Sequence, residues 1–211
     1  MKRILAVGDS FTYGAELKEL TSAWPSLLGK KLGYAVDNYG LQGGGNQQMV
    51  RTVVQHSDQH EIIIIAWSHY ARMEFADGCG VFDVWPGSRG LEFAGETAHR
   101  KDLLKYINLH HNDHYLYKQY LLNIILLQNY LKSKNKKYIM LDTFGNLELR
   151  KQFYNFSNLV DSTFYLGWPN ETMMEWTYGC PQGPGGHFLE EGHAVVAEKI
   201  NEHIRNLGWI S

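Results

Sequence analysis

Two residues near opposite ends of the chain, Ser10 and His187, are able to do nucleophilic chemistry together. Ser10 lies in Gly8-Asp9-Ser10-Phe11-Thr12-Tyr13-Gly14, directly after the apolar run Ile4-Leu5-Ala6-Val7. A short buried strand ending in Gly-Asp-Ser puts a hydroxyl at the carboxyl end of a sheet, the edge where ligands gather in open α/β sheets. His187 follows Gly185 and Gly186 in a Gly-rich loop, just before the last helix-like segment. An imidazole beside a serine hydroxyl takes its proton and makes the oxygen a nucleophile. A serine early, a histidine late and a βα alternation between them read as a serine hydrolase.

The elements that must position this pair follow from hydrophobic patterning. Ile4–Val7 reads as a strand, and Trp24–Leu32 as a helix with Pro25 near its start and Gly33 as its stop. Tyr34–Tyr39 is a second short strand and Asn46–His56 a helix opening after three glycines. Glu61–Trp67 is continuously apolar after its first residue, as a central parallel strand should be. Asn112–Lys134 is a long helix, Lys137–Leu141 a fourth strand ending at Asp142, and Leu189–Leu207 a closing helix. Residues 71–111 and 145–180 lose this rhythm and read as two aromatic-rich insertions. The pattern predicts one α/β domain over residues 1–211, with a parallel doubly wound sheet and helices on both faces. Both insertions leave the carboxyl edge, on the side of Ser10, and would wall a pocket above it.

Bulk properties narrow the partners. Twenty basic against 22 acidic side chains leave a formal charge of −2, so no electrostatic case exists for nucleic acid or an anionic membrane. The apolar run after Lys2 and Arg3 is only four residues, too short for a signal peptide, and the expected location is cytoplasmic or that of a lysis-released product. Leu121–Leu131 is broken by Asn123, Gln128 and Asn129, which excludes a spanning helix there. Cys79 and Cys180 are too few for a disulfide scaffold and lack zinc-site spacing. Aromatic residues make up 13% of the chain and lie largely in the insertions, where they suit a sugar-binding surface.

Four separated segments resemble, in order, those of the SGNH hydrolases of the GDSL esterase/lipase superfamily. The resemblance implies a flavodoxin-like three-layer sandwich with a parallel sheet, serine esterase activity and no cofactor. Gly8–Gly14 resembles the first block, with Ser10 as nucleophile, and Asn38-Tyr39-Gly40-Leu41-Gln42-Gly43 the second. That match gives the backbone N–H of Gly43 to the oxyanion hole, together with the N–H of Ser10. Close backbone approach at glycine and N–H donors aimed at a developing negative oxygen suit that role. Gly185–His193 resembles the last block, making His187 the general base.

Two blocks depart from the family pattern. Ala66-Trp67-Ser68-His69 stands where the family has Gly-x-Asn-Asp, so Ser68 is expected to supply its hydroxyl to the oxyanion hole in place of the Asn amide. Trp-Ser followed shortly by Arg72 resembles phage-associated relatives. Pro184 stands three residues before His187, where the family has the Asp that orients the imidazole. A backbone carbonyl, a carboxylate from elsewhere such as Asp142 or Asp161, or a Ser10–His187 dyad would then complete the site.

Other candidates have plainer readings. His110 and His114 share a helical face but lack a third ligand, so no metal is expected. His193 reads as structural, and Glu190 and Glu191 as charges favouring the start of the last helix. Trp67, Trp85, Trp168 and Trp176 fit packing as well as sugar stacking. The leading expectation is an esterase removing a small acyl group, acetyl favoured, from a carbohydrate. The alternatives are a catalytically impaired glycan-binding module, a lipase or thioesterase, and, least, a flavodoxin-like cofactor binder.

Overall fold

The apolar runs become four parallel strands: β1 (Arg3–Gly8), β2 (Ala35–Gly40), β3 (Ile62–Trp67) and, after an antiparallel pair of strands, β6 (Lys137–Asp142). The order is β2-β1-β3-β6, so β1 and β3 are central. The computed structural model describes residues 2–77, 80–84, 102, 105–107, 109 and 111–210. In register, Gly8 lies beside Gly40 on one side and Ala66 on the other, and Trp67 beside Asp142. All four carboxyl ends therefore meet at one edge, with the Gly8 end of β1 between its neighbours.

The alternation of side chains along each strand divides the core into two layers. Ile4, Ala6, Ile62, Ile64, Ile139 and Leu141 face helices α2 (Trp24–Leu32) and α8 (Glu190–Asn206), meeting Trp24, Leu28, Val196 and Ile200. Leu5, Val7, Ile63, Ile65, Tyr138 and Met140 face α3 (Asn46–His56) and α4 (Asp113–Ser133), meeting Met49, Val53, Tyr120 and Ile124. The result is the expected three-layer α/β sandwich. Every side chain of β3 is fully buried, which is why its sequence shows no alternation.

The two irregular stretches contain more order than their composition suggested. In the first, β4 (Met73–Asp77) and β5 (Gly80–Val84) pair antiparallel. Cys79, Trp85, His110 and most of 85–110 lie outside the described residues.

After β6 come α5 (Leu147–Gln152), α6 (Tyr154–Ser157) and α7 (Met173–Trp176). This stretch is fastened to the sheet by a buried cluster: Asp142 pairs with Arg150 and accepts from the Tyr120 and Tyr165 hydroxyls, and Arg150 also donates to the Pro169 carbonyl. Tyr165 makes one parallel bridge to Met140 beyond the edge of β6. Among the described residues, no helix is long and apolar enough to cross a membrane.

Candidate active site

At the carboxyl end of β1 the chain turns directly into α1 (Ser10–Tyr13). Asp9 caps that helix by accepting from the Phe11 N–H at 3.0 Å, and Gly14 ends it with φ 93°. Only glycine fits at position 8, since a Cβ there would stand 2.1 Å from Thr12 Oγ1. The tight strand-to-helix turn leaves Ser10 Oγ 2.9 Å from His187 Nε2.

His187 sits at the end of a tight turn, in which the Gly186 N–H donates to the Gly183 carbonyl and the Gly183 N–H to the His187 carbonyl. The Phe11 ring covers the imidazole, with centroids 4.7 Å apart. On the far side of the ring, His187 Nδ1 lies 2.7 Å from Glu16 Oε2. Glu16 also accepts the backbone N–H groups of Gly185, at 2.7 Å, and His187, at 3.2 Å. Those donors, Gly185 first and His187 after it, hold the Glu16 carboxyl below its usual range. The carboxylate that lies against the imidazole comes from outside the last block. Asp142 is engaged by Arg150 and two tyrosines, and Asp161 by Lys132 at 2.6 Å, so neither candidate from the sequence is that carboxylate.

The second block is stitched to the turn that carries Ser10. Asn38 donates to the Thr12 carbonyl at 2.9 Å and accepts from the Gly40 N–H at 2.9 Å, while the Leu41 N–H donates to the Gly8 carbonyl at 3.0 Å. Gly43 follows with φ 79°, a conformation that favours glycine. The backbone N–H groups of Ser10 and Gly43 donate to no acceptor among the described residues.

Ser68 is placed differently from the expectation. Its hydroxyl donates to Asp9 Oδ2 at 2.8 Å, and a hydroxyl has one proton to give. Ser68 is therefore a support for the capping carboxylate rather than an oxyanion donor. Arg72 stands behind it, with Nη1 2.9 Å from the Gly44 carbonyl and 3.7 Å from Asp9 Oδ2. Burial pushes the Asp9 carboxyl up, and Arg72 and Ser68 pull it back. Asn46, not singled out in the sequence, accepts the Ser68 N–H at 3.0 Å and donates to the His69 carbonyl at 3.2 Å. It is 2% exposed and ties the second block to the third.

The remaining candidates have structural roles. His193 Nδ1 accepts the Trp24 N–H at the start of α2, at 3.1 Å, and burial holds its pKa down at about 4. Glu190 and Glu191 occupy the first turn of α8. Trp67 is a core residue, Trp168 lies against Arg150, and Trp176 Nε1 donates to Glu171 at 2.8 Å. His111 pairs with Asp113 at 2.7 Å, and among the described residues no group of three metal-ligating side chains forms. Cys180 is a free thiol.

Comparison with known proteins agrees with this geometry at the level of fold. A lipase/acylhydrolase from Enterococcus faecalis superposes with a TM-score of 0.59 at 13% identity, over 98% of this chain and 96% of the other. A psychrotrophic esterase from Pseudoalteromonas sp. gives 0.58 at 12% identity over 98% of each chain. A two-domain esterase active on acetylated mannans gives 0.51 at 15% identity, over 100% of this chain and 50% of the other. No curated protein matches the sequence. One family model, described as a family of unknown function, DUF6071, matches residues 11–211.

Proposed function

The chain belongs to the DUF6071 family and has the SGNH hydrolase fold, and from that premise we propose that it is a serine esterase acting on small acyl esters of carbohydrates. The observation that carries this reading is the 2.9 Å approach of His187 Nε2 to Ser10 Oγ, and the Ser10 and Gly43 N–H groups, which donate to no acceptor among the described residues, support it. His187 takes the Ser10 proton as Oγ attacks the ester carbonyl. The N–H groups of Ser10 and Gly43 receive the resulting oxyanion, and two such donors in a fixed frame supply several kcal/mol, by removal experiments about 3 to 4 each. His187 then protonates the leaving sugar oxygen. Water, deprotonated by the same imidazole, attacks the acyl-enzyme and frees Ser10.

Two observations support the substrate class. The segment after β6 leaves the sheet edge on which Ser10 stands, and it carries exposed Tyr154 and Tyr178, rings of the kind that stack on sugars. One protein of similar fold is an esterase active on acetylated mannans. The test is a series of p-nitrophenyl esters from acetate to octanoate. Turnover should be highest for acetate and absent in Ser10→Ala. Activity rising with chain length would favour a lipase, and full activity in Ser10→Ala would remove Ser10 from the mechanism.

A further inference from the structure

The loop that carries His187 is built around a carboxylate from the other end of the chain. Glu16 has φ 68°, one of two non-glycine residues with positive φ among those described. That conformation costs a side-chain-bearing residue on the order of 1 to 3 kcal/mol, so the surroundings must hold it. What holds it is a recess: a Cβ on Gly183 would stand 2.6 Å from the Glu16 carboxyl carbon, and one on Gly185 2.9 Å from Oε2. Both glycines leave room for the carboxylate, which accepts the Gly185 and His187 N–H groups within that recess.

We infer that Glu16 is the positioning acid of the site, replacing the aspartate whose place Pro184 occupies. The inference of a rate effect rests on the esterase reading of Ser10 and His187; the pairing of Glu16 with His187 does not. An ionised carboxylate can only accept, so Nδ1 must carry a proton toward Glu16 Oε2, 2.7 Å away. The neutral ring then presents its lone pair at Nε2, the nitrogen facing Ser10 Oγ. When the Ser10 proton moves to Nε2, Nδ1 keeps its own and Glu16 stays ionised, so the imidazolium forms against a negative partner. Glu16 follows Ser10 by six residues on one continuous turn. Nucleophile and acid therefore belong to one piece of chain and the base to a second, which reduces the parts that must be held in register.

The test is Glu16→Gln. A glutamine keeps the shape but can turn an N–H toward Nδ1, which favours the tautomer with its proton on Nε2 and opposes proton removal from Ser10. In a buried triad the comparable change costs about 10⁴ in kcat. Here the side chains of His187 and Glu16 are 20% and 23% exposed, and water screens part of the effect. A kcat loss of about 10²- to 10³-fold is expected, with KM within about threefold. Gly185→Ala leaves the acid in the chain but displaces its carboxylate, and should lower kcat in the same sense. Wild-type protein supplies a reading independent of any variant's folding. Its proton NMR spectrum should show a far-downfield Nδ1–H resonance that disappears in Glu16→Gln. Unchanged kcat in a folded Glu16→Gln, or no such resonance in wild type, would overturn the assignment. A resonance that behaves as expected in an enzyme without ester turnover would uphold the pairing and reject the esterase reading instead.

Discussion

Ser68→Ala removes one of three groups that meet the fully buried carboxylate of Asp9, and its effect separates support from catalysis. The Ser68 hydroxyl donates to Oδ2 at 2.8 Å, the Phe11 N–H reaches Oδ1 at 3.0 Å, and Arg72 lies 3.7 Å from Oδ2. A hydrogen bond to a charged group contributes about 1.5–3 kcal/mol. Arg72 remains and moderates the loss, so about 2 kcal/mol is expected. In a chain of 211 residues, each kcal/mol shifts Tm by about 2–4 °C, giving a fall of about 4–8 °C. Because Ser10 moves only through its capping neighbour, kcat for p-nitrophenyl acetate should fall less than about tenfold. An oxyanion donor behaves in the opposite way, with about 10²–10³ lost from kcat and stability intact. Thermal denaturation and initial rates on the same preparation decide between them. An unchanged Tm with kcat reduced a hundredfold would refute the support role.

Other perturbations follow from the same geometry. Arg150→Met leaves Asp142 buried without its cation, which should cost about 3–5 kcal/mol in urea denaturation and loosen residues 145–170; a loss under about 1 kcal/mol would show that the pair does not fasten that segment. Gly40→Ala puts a Cβ 2.2 Å from the Tyr13 backbone nitrogen. It should cost about 1–3 kcal/mol and reduce turnover, because the loop to Gly43 must shift relative to Ser10; wild-type Tm and rate together would contradict the packing. His193 has a folded pKa of about 4 against 6.5 ordinarily, so the unfolded chain binds the proton first. Its contribution, on the order of 3 kcal/mol, is present above pH 6.5 and lost as pH falls toward 4. Parallel stability–pH curves for wild type and His193→Gln would exclude it as the source.

The sheet and the turn that carries Ser10 were legible because their causes are local. Ile62–Trp67 is a continuous apolar run, Asn46–His56 begins after Gly45, and Gly8-Asp9-Ser10 follows a short apolar strand with a helix-capping Asp. The pairing of Ser10 with His187 was legible through the order of four motifs. Glu16 was not. It meets His187 across 171 positions, and nothing in Ala15-Glu16-Leu17 announces a left-handed residue. Its trace was the spacing of Gly183 and Gly185, which reads as loop composition until a carboxylate is seen between them. The departure at Ser68 was visible, but not its direction, because a hydroxyl beside a buried acid can donate either to that acid or to substrate. Asn46 was hidden for a similar reason, as its amide serves the backbone of residues 68 and 69 and leaves no mark in local patterning.

The esterase reading makes Ser10 a nucleophile activated by His187. Its most direct measurement is reaction of the folded wild-type chain with a fluorophosphonate, followed by mass spectrometry of the peptides. A single adduct on Ser10 is expected, absent when His187 is changed to Ala. A folded chain that forms no adduct, or forms it at another residue, would contradict it.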